Sequence, residues 1–254
     1  MIELKTLTQY LDDLLEINKI PDDISNNGLQ IEGSQKVDKV IFGVDACLAI
    51  AKIAAEKKAD LIFVHHGLSW GNGFKRLTGN SARIFSSFFK NDISLYGAHL
   101  PLDAHPELGH NAQISKGISL KNCKPFAEYA KAEIGIKGKL EEPTTLANLA
   151  KTVNQKLETK SLIYGDKNKS ISKIGIISGA PGSFGIEAAE ENKLDCLITG
   201  EVNHTYWHLI QETGVNVIAA GHYCTEKPGV LAVMNKIRTK FNIDCEFIEL
   251  PTGL

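Results

Sequence analysis

Short, unbroken apolar runs recur along the chain, and each is closed by a glycine, a histidine or a carboxylate. Residues 39–46 (KVIFGVDA), 60–66 (DLIFVHH), 93–98 (ISLYGA), 173–180 (KIGIISGA), 196–201 (CLITGE) and 216–221 (NVIAAG) read as buried β-strands. Runs of that kind suit strands covered by helices on both faces, as in mostly parallel sheets. Helical spacing fills the intervals: Val230, Leu231, Met234, Ile237 and Phe241 share one face of a final helix, with Thr225 as its expected N-cap. The alternation of strand and helix predicts the α/β class.

Written beneath each other, the two halves of the chain match in order. Residues 7–15 parallel 146–154, residues 39–67 parallel 173–201, and residues 95–103 parallel 218–226. The last pairing sets His99 and Asp103 opposite His222 and Glu226, each a histidine followed four residues later by a carboxylate. The pattern predicts an internal duplication: two similar α/β lobes, residues 1–127 and 128–254, each with a mostly parallel sheet flanked by helices. The least regular stretch, residues 124–145, reads as linker plus an extra strand or turn. A final helix swapped back onto the first lobe is a second arrangement the pattern allows.

Composition narrows the function classes. The chain has 254 residues, 43% hydrophobic and 23% charged, with a formal net charge of -2. Lysine and arginine are scattered along the sequence and form no basic stripe, which argues against dedicated nucleic-acid binding. The apolar run around residues 44–55 is broken by Lys52 and too short to span a bilayer, so no membrane association is expected. The N-terminus lacks the basic-then-apolar pattern of a signal peptide. Five cysteines (47, 123, 196, 224 and 245) are odd in number and form no C-x-x-C pair. That usage fits reduced thiols in a cytoplasmic protein rather than a disulfide framework or zinc knuckle.

In parallel α/β sheets, ligands bind beyond the carboxyl ends of the strands. Those ends carry Asp45, His65, His66, His99, Asp103, Glu201, His222 and Glu226. Imidazoles and carboxylates together make a divalent-metal site suited to zinc, iron, manganese, cobalt or nickel. Adjacent histidines on a strand point to opposite faces, so His65 and His66 more naturally address two separate ions, with Gly67 letting the chain turn. Glu226 suits a bridge between such ions. Two other features are weaker. His204 and His208 in HTYWH stand one helical turn apart but lack the glutamate of H-E-x-x-H, and a polar helix face explains them better. The glycine-rich SGAPGSFG (178–185) matches no nucleotide motif; it is a tight turn or a phosphate cradle.

The stretches NNGLQIEG (26–33), VHHGLSWG (64–71), YGAHLPLDAHPELGHN (96–111), LITGEVNH (197–204) and AAGHYCTEKPG (219–229) resemble the GTP cyclohydrolase 1 type 2 homologues, also called NIF-three-like proteins. The match runs through nearly the whole chain, in the short form without an inserted domain. The resemblance implies a two-lobed subunit, two divalent metal cations per subunit in a dinuclear site between the lobes, and a toroidal homohexamer. It assigns His65 and His222 to one ion and His66 and Asp103 to the other, with Glu226 bridging. His99 is not a ligand in that pattern and is left as a candidate proton donor. The implied function is a metal-dependent hydrolase that opens the purine ring of a nucleotide such as GTP. A non-enzymatic metal chaperone or insertion factor, or a regulatory scaffold, would use the same ligands.

Overall fold

The computed structural model describes residues 1–74 and 76–254. The chain begins with β1 (Ile2–Glu3), α1 (Leu4–Leu15), β2 (Gly28–Ile31), β3 (Lys36–Val37), β4 (Lys39–Asp45), α2 (Leu48–Glu56) and β5 (Leu61–His66). It continues through α3 (Gly79–Lys90), β6 (Ser94–Gly97), α4 (Leu100–Asp103), α5 (His110–Gly117), β7 (Lys121–Tyr129) and β8 (Ala132–Thr145). Next come α6 (Leu146–Leu157), β9 (Leu162–Tyr164), β10 (Ser170–Ile177), α7 (Gly182–Glu191) and β11 (Cys196–Thr199). A single 3-10 turn at His204–Tyr206 leads into α8 (Trp207–Thr213), followed by β12 (Asn216–Ala219), α9 (His222–Phe241) and β13 (Asp244–Phe247).

Two compact units divide the chain: residues 1–102 with 230–250, and residues 103–229 with 251–254. The expected division at residue 127 falls inside β7. The final segment belongs to the first unit, because β13 pairs in parallel with β4 from Asp244↔Lys39 to Phe247↔Phe42.

In the first unit the sheet order is β13-β4-β5-β6-β2, parallel except for the antiparallel edge strand β2. One face packs Ile41, Ile62, Val64 and Leu95 against Ile50 and Ala51 of α2 and Phe85 and Phe88 of α3. Phe42, Phe63 and Tyr96 run along a neighbouring set of positions, with ring centroids 5.3 and 5.6 Å apart. The buried Tyr96 hydroxyl donates to Asp12 Oδ1 at 2.8 Å, which ties α1 to the sheet. Helix α1 buries Leu4, Leu7, Leu11 and Leu15, the three- and four-residue spacing that makes one apolar stripe.

In the second unit the order is β7-β8-β10-β11-β12-β9. The parallel trio β10-β11-β12 sits at its centre, and antiparallel strands flank it on both sides. Its core packs Ile174, Ile176, Ile198 and Ile218 of the trio against Leu146, Leu149 and Val153 of α6. Thr145 caps α6, its side chain accepting the Asn148 N–H at 3.2 Å.

The α/β class with helix-flanked sheets is as expected, and all six apolar runs are strands. Two details differ. Residues 121–145 form a long hairpin, β7 and β8, rather than linker plus one strand or turn. Helix α9 begins at His222, so Thr225 lies inside it instead of capping it. Its hydroxyl donates back to the Gly221 and His222 carbonyls at 2.9 Å.

Candidate metal centre

Each unit gathers its own set of metal-type donors at the carboxyl ends of its parallel strands. In the first, β4 ends in Asp45 and β5 ends in His65 and His66, with Asp45 in register opposite His66. The His66 ring Nδ1 lies 2.8 Å from Asp45 Oδ1. His65 is fully buried, and its Nδ1 lies 2.9 Å from the Ala98 carbonyl oxygen just beyond β6. In both rings Nδ1–H donates to oxygen, which fixes the tautomer and makes Nε2 the lone-pair atom.

The two rings do not diverge as alternation along a strand predicts. Their centroids are 4.5 Å apart, and one nitrogen from each of His65, His66 and His99 lies within 4.8 Å of the others. Strand β5 ends at His66, and the chain turns at Gly67. A Cβ there would sit 2.3 Å from Gln30 Oε1, the atom that accepts the Leu68 and Ser69 N–H groups at 2.7 and 3.0 Å. Gln30 therefore shapes the turn that follows the two histidines.

His99 is held by a different support. Its Nδ1 lies 2.8 Å from the buried Asp23 Oδ1, and its backbone N–H donates to Asn27 Oδ1 at 2.8 Å. Asp23 also accepts from Ser25 N–H, Asn27 Nδ2 and Leu100 N–H. Burial raises the Asp23 pKa, but the hydrogen bond and charge of His99 outweigh it, so the carboxyl is held below its ordinary range. Trp70 stands edge-on to His99 at 5.1 Å, and its indole N–H donates to the Gly67 carbonyl at 2.9 Å.

In the second unit, Asp103, His222 and Glu226 are placed by the ends of β10 and β11 and the first turns of α9. Asp103 is buried and accepts the Ser178 hydroxyl at 2.7 Å. Ser178 N–H donates to Asn111 Oδ1 at 2.8 Å, and Asn111 Nδ2 donates to the Ile134 carbonyl at 2.8 Å. The His222 Nδ1 lies 2.7 Å from Glu201 Oε1, and its Nε2 lies 3.1 Å from Glu226 Oε1. Burial pushes the His222 pKa down, yet Glu226 and Glu201 together push it up to about 9. Glu226 is buried, one helical turn after His222 on α9.

The glycine-rich turn after β10 serves this packing. Gly179 has φ +68, and a Cβ on it would lie 2.3 Å from Glu226 Oε1. Its N–H donates to Thr225 Oγ1 at 3.1 Å, and its carbonyl accepts Gly200 and Glu201 N–H at 2.9 and 3.0 Å. The turn thus locks β10, β11 and α9 together beneath His222 and Glu226. A cavity of about 730 Å³ opens beside Glu201, lined by Lys160, Leu162, Tyr164, Tyr223 and Cys224. His204 and His208 are exposed, and among the described residues neither joins a cluster of three metal-type donors.

Sequence reasoning named the donors and two of their supports, Asp45 and Glu201, but not the others. Asp23, Gln30, Asn111 and Ser178 hold the donors in place, and each partner lies far away along the chain. The NNGLQIEG and YGAHLPLDAHPELGHN stretches that carry the family resemblance contain Asn27, Gln30 and Asn111. The donor chemistry fits divalent cations: imidazoles with a fixed Nδ1–H and buried carboxylates of the harder type.

The Duf34/NIF3 (NGG1p interacting factor 3) family model matches residues 2–252. A Pyrococcus abyssi protein named GTP cyclohydrolase 1 type 2 homolog is 41% identical over 256 residues, covering 100% of both chains. A Deinococcus radiodurans protein of the same name is 40% identical, covering 98% of this chain and 93% of that one. Among solved structures, TTHA1606 from Thermus thermophilus superposes with a TM-score of 0.89 at 35% identity over the full length of both chains. A structural-genomics protein, ybgI, described as of unknown function, gives 0.91 at 32% identity, again over both full lengths. The chain belongs to the Duf34/NIF3 family.

Proposed function

We propose that this Duf34/NIF3 chain is a dinuclear metal-dependent hydrolase acting on a purine nucleotide such as GTP. The observation that carries the reading is the anchoring of three imidazoles: His65, His66 and His222 each direct Nδ1 at a carbonyl or carboxylate oxygen 2.7–2.9 Å away. That outer support is characteristic of metal-binding histidine, because it fixes the tautomer and raises the basicity of Nε2. In the proposed site His65 and His222 would hold one cation and His66 and Asp103 the other, with Glu226 serving both. Zinc, iron, manganese, cobalt and nickel all suit this donor set. Bound there, two such cations would supply Lewis acidity and lower the pKa of water near neutral pH.

The chain's own residues divide the remaining work. Asp45 and Glu201 orient His66 and His222, and Ser178 orients Asp103. His99, backed by the ionised Asp23, is placed to hold and move a proton, a contribution typically of ~10²–10⁴-fold. The cavity beside Glu201, with Tyr164, Tyr223 and Leu162 on its walls, has the size and partly apolar lining to seat a flat ring. The proposed molecule works as a homohexameric ring in the cytoplasm, and the two units descend from one duplicated ancestor.

The test is incubation of metal-loaded protein with a panel of nucleotides and related metabolites, followed by mass spectrometry of the products. Metal-dependent conversion of a purine nucleotide is expected, lost in His66→Ala and Asp103→Asn. His99→Ala should keep its full metal content while turning over more slowly. A fully loaded protein that leaves the whole panel untouched would reverse the reading in favour of a metal carrier or scaffold.

A further inference from the structure

Lysines that fall singly along the sequence come together on one face of the second unit's sheet. In the β7–β8 ladder Lys121 stands opposite Lys139, and Lys124 opposite Lys137. In the β10–β8 ladder Lys173 stands opposite Lys139 from the other side. Residues paired across strands point to the same face, and so do residues two apart on β8. The extra residue that β7 carries between Lys121 and Lys124, in a stretch where Asn122 adopts φ 52, keeps both on that face. Five ammonium groups therefore occupy two rows across three adjacent strands.

Like charges placed directly opposite each other destabilise a sheet, and sequences ordinarily avoid them. Here all three cross-strand pairs are lysine against lysine, and among the described residues none of the five forms an ion pair. One neutral acceptor is in reach: Asn192 Oδ1, at the C-terminal end of α7, takes a hydrogen bond from Lys137 Nζ at 2.5 Å. The carboxylate of Asp195 accepts the backbone N–H groups of Ser172 and Lys173. Lys124, Lys137, Lys139 and Lys173, with Asn122 and Asn192, line a depression of about 420 Å³ floored by Leu194.

We propose that this depression is an anion site for a short phosphate chain, either inorganic polyphosphate or the di- or triphosphate arm of a nucleotide. The patch spans roughly 10 Å across three strands and about 7 Å along them, from the ordinary strand spacing and rise. Those dimensions match two or three linked phosphates, and the asparagine amides add neutral donors. No aromatic ring lines the depression, which disfavours single-stranded nucleic acid, whose binding relies on base stacking. The site is separate from the donors of the metal centre. Lys173 lies near the start of β10, and Ser178, which holds Asp103, lies just past its end, roughly 17 Å further along at the usual rise. A phosphate chain bound here is a second ligand rather than the arm of a substrate seated at Asp103.

Calorimetric titration of the full chain with inorganic tripolyphosphate tests the site, using metal-loaded and metal-stripped protein at about 0.15 M ionic strength, where loose surface attraction is screened. Saturable binding of one chain per subunit is expected in both forms. It should weaken at least ~10-fold in Lys139→Gln/Lys173→Gln and in Lys124→Gln/Lys137→Gln, with metal content unchanged. Both double variants should unfold at the same temperature as the parent or higher, because each removes like-charge pairs. Tighter binding of a nucleoside triphosphate than of tripolyphosphate would support the site and identify a nucleotide as the source; equal binding would support it and identify the bare chain. Binding that disappears on metal stripping, survives both double variants or is reproduced by sulfate would overturn the proposal. So would a short oligonucleotide that binds where tripolyphosphate does not.

Discussion

At the scale of single residues, the proposed centre turns on how His222 and Glu226 share charge. Without a bound cation the His222 pKa is raised from 6.5 to about 9 by the two glutamates, against the opposing effect of burial. A raised folded-state pKa contributes stability that is complete below about 6.5 and is lost as pH climbs through about 9. Metal-stripped protein is therefore expected to lose melting temperature between those pH values, while metal-loaded protein, whose His222 has no proton to lose, changes less. Metal uptake at pH 7 should release a proton from His222. Calorimetry in buffers of different ionisation enthalpy would detect it, and a heat independent of buffer would contradict the assignment. Glu201→Gln should lower both the His222 pKa and the metal affinity, the latter by ~10–100-fold, as expected for an outer support. Glu226→Gln should cost more metal than His65→Ala or Asp103→Ala, because a spanning carboxylate offsets the repulsion of two cations at once. Metal titration of the three variants decides it; near-native uptake by Glu226→Gln would remove the spanning role. The donors themselves were legible in the sequence because they fall at or shortly after apolar strands: His65 and His66 close β5, Asp103 follows β6, and His222 and Glu226 follow β12. Asp23, Gln30 and Ser178 were not, because a hydrogen bond between residues far apart in the chain leaves no periodic trace.

At the scale of elements, the turn after β10 is the junction to test. Gly179→Ala would need a left-handed backbone at an ordinary residue and would push its methyl into Glu226. A destabilisation of about 1–3 kcal/mol is expected, together with reduced metal affinity. Denaturant unfolding and metal titration measure the two effects, and a stable variant with full affinity would show that the turn has room to yield. Strand positions were readable because buried strands flanked by helices leave long apolar runs. The β7–β8 hairpin escaped that signal: of the residues 121–129 only Phe126 and Ala127 are buried, so neither an apolar run nor alternation marks the strand. The start of α9 was misplaced for a related reason. Thr225 has the composition of a cap, but its hydroxyl is spent inside the helix and on Gly179. The lysine face was invisible too, because it is built by the unrecognised pairing of β7 with β8 and of β8 with the more distant β10.

At the scale of the whole molecule, the sequence pattern predicted two α/β units but not where the chain passes from one to the other. The first unit draws on both ends of the chain, because β4 is flanked by β5 on one side and by the late strand β13 on the other. Cutting the chain after residue 229 should leave the β4 edge open while keeping all of the second unit except its residues 251–254. Hydrogen exchange on that truncated chain should show rapid exchange in β4 and retained protection in β10, β11 and β12; equal protection in both would mean that β13 is dispensable. The arrangement also orders events during synthesis. A ribosome releases residues 103–229 before it has made β13, so the second unit is free to close while the first still waits for its last strand. Until then the nascent chain carries an unpaired β4 flank rich in valine, isoleucine and phenylalanine, the kind of edge that recruits chaperones or neighbouring nascent chains.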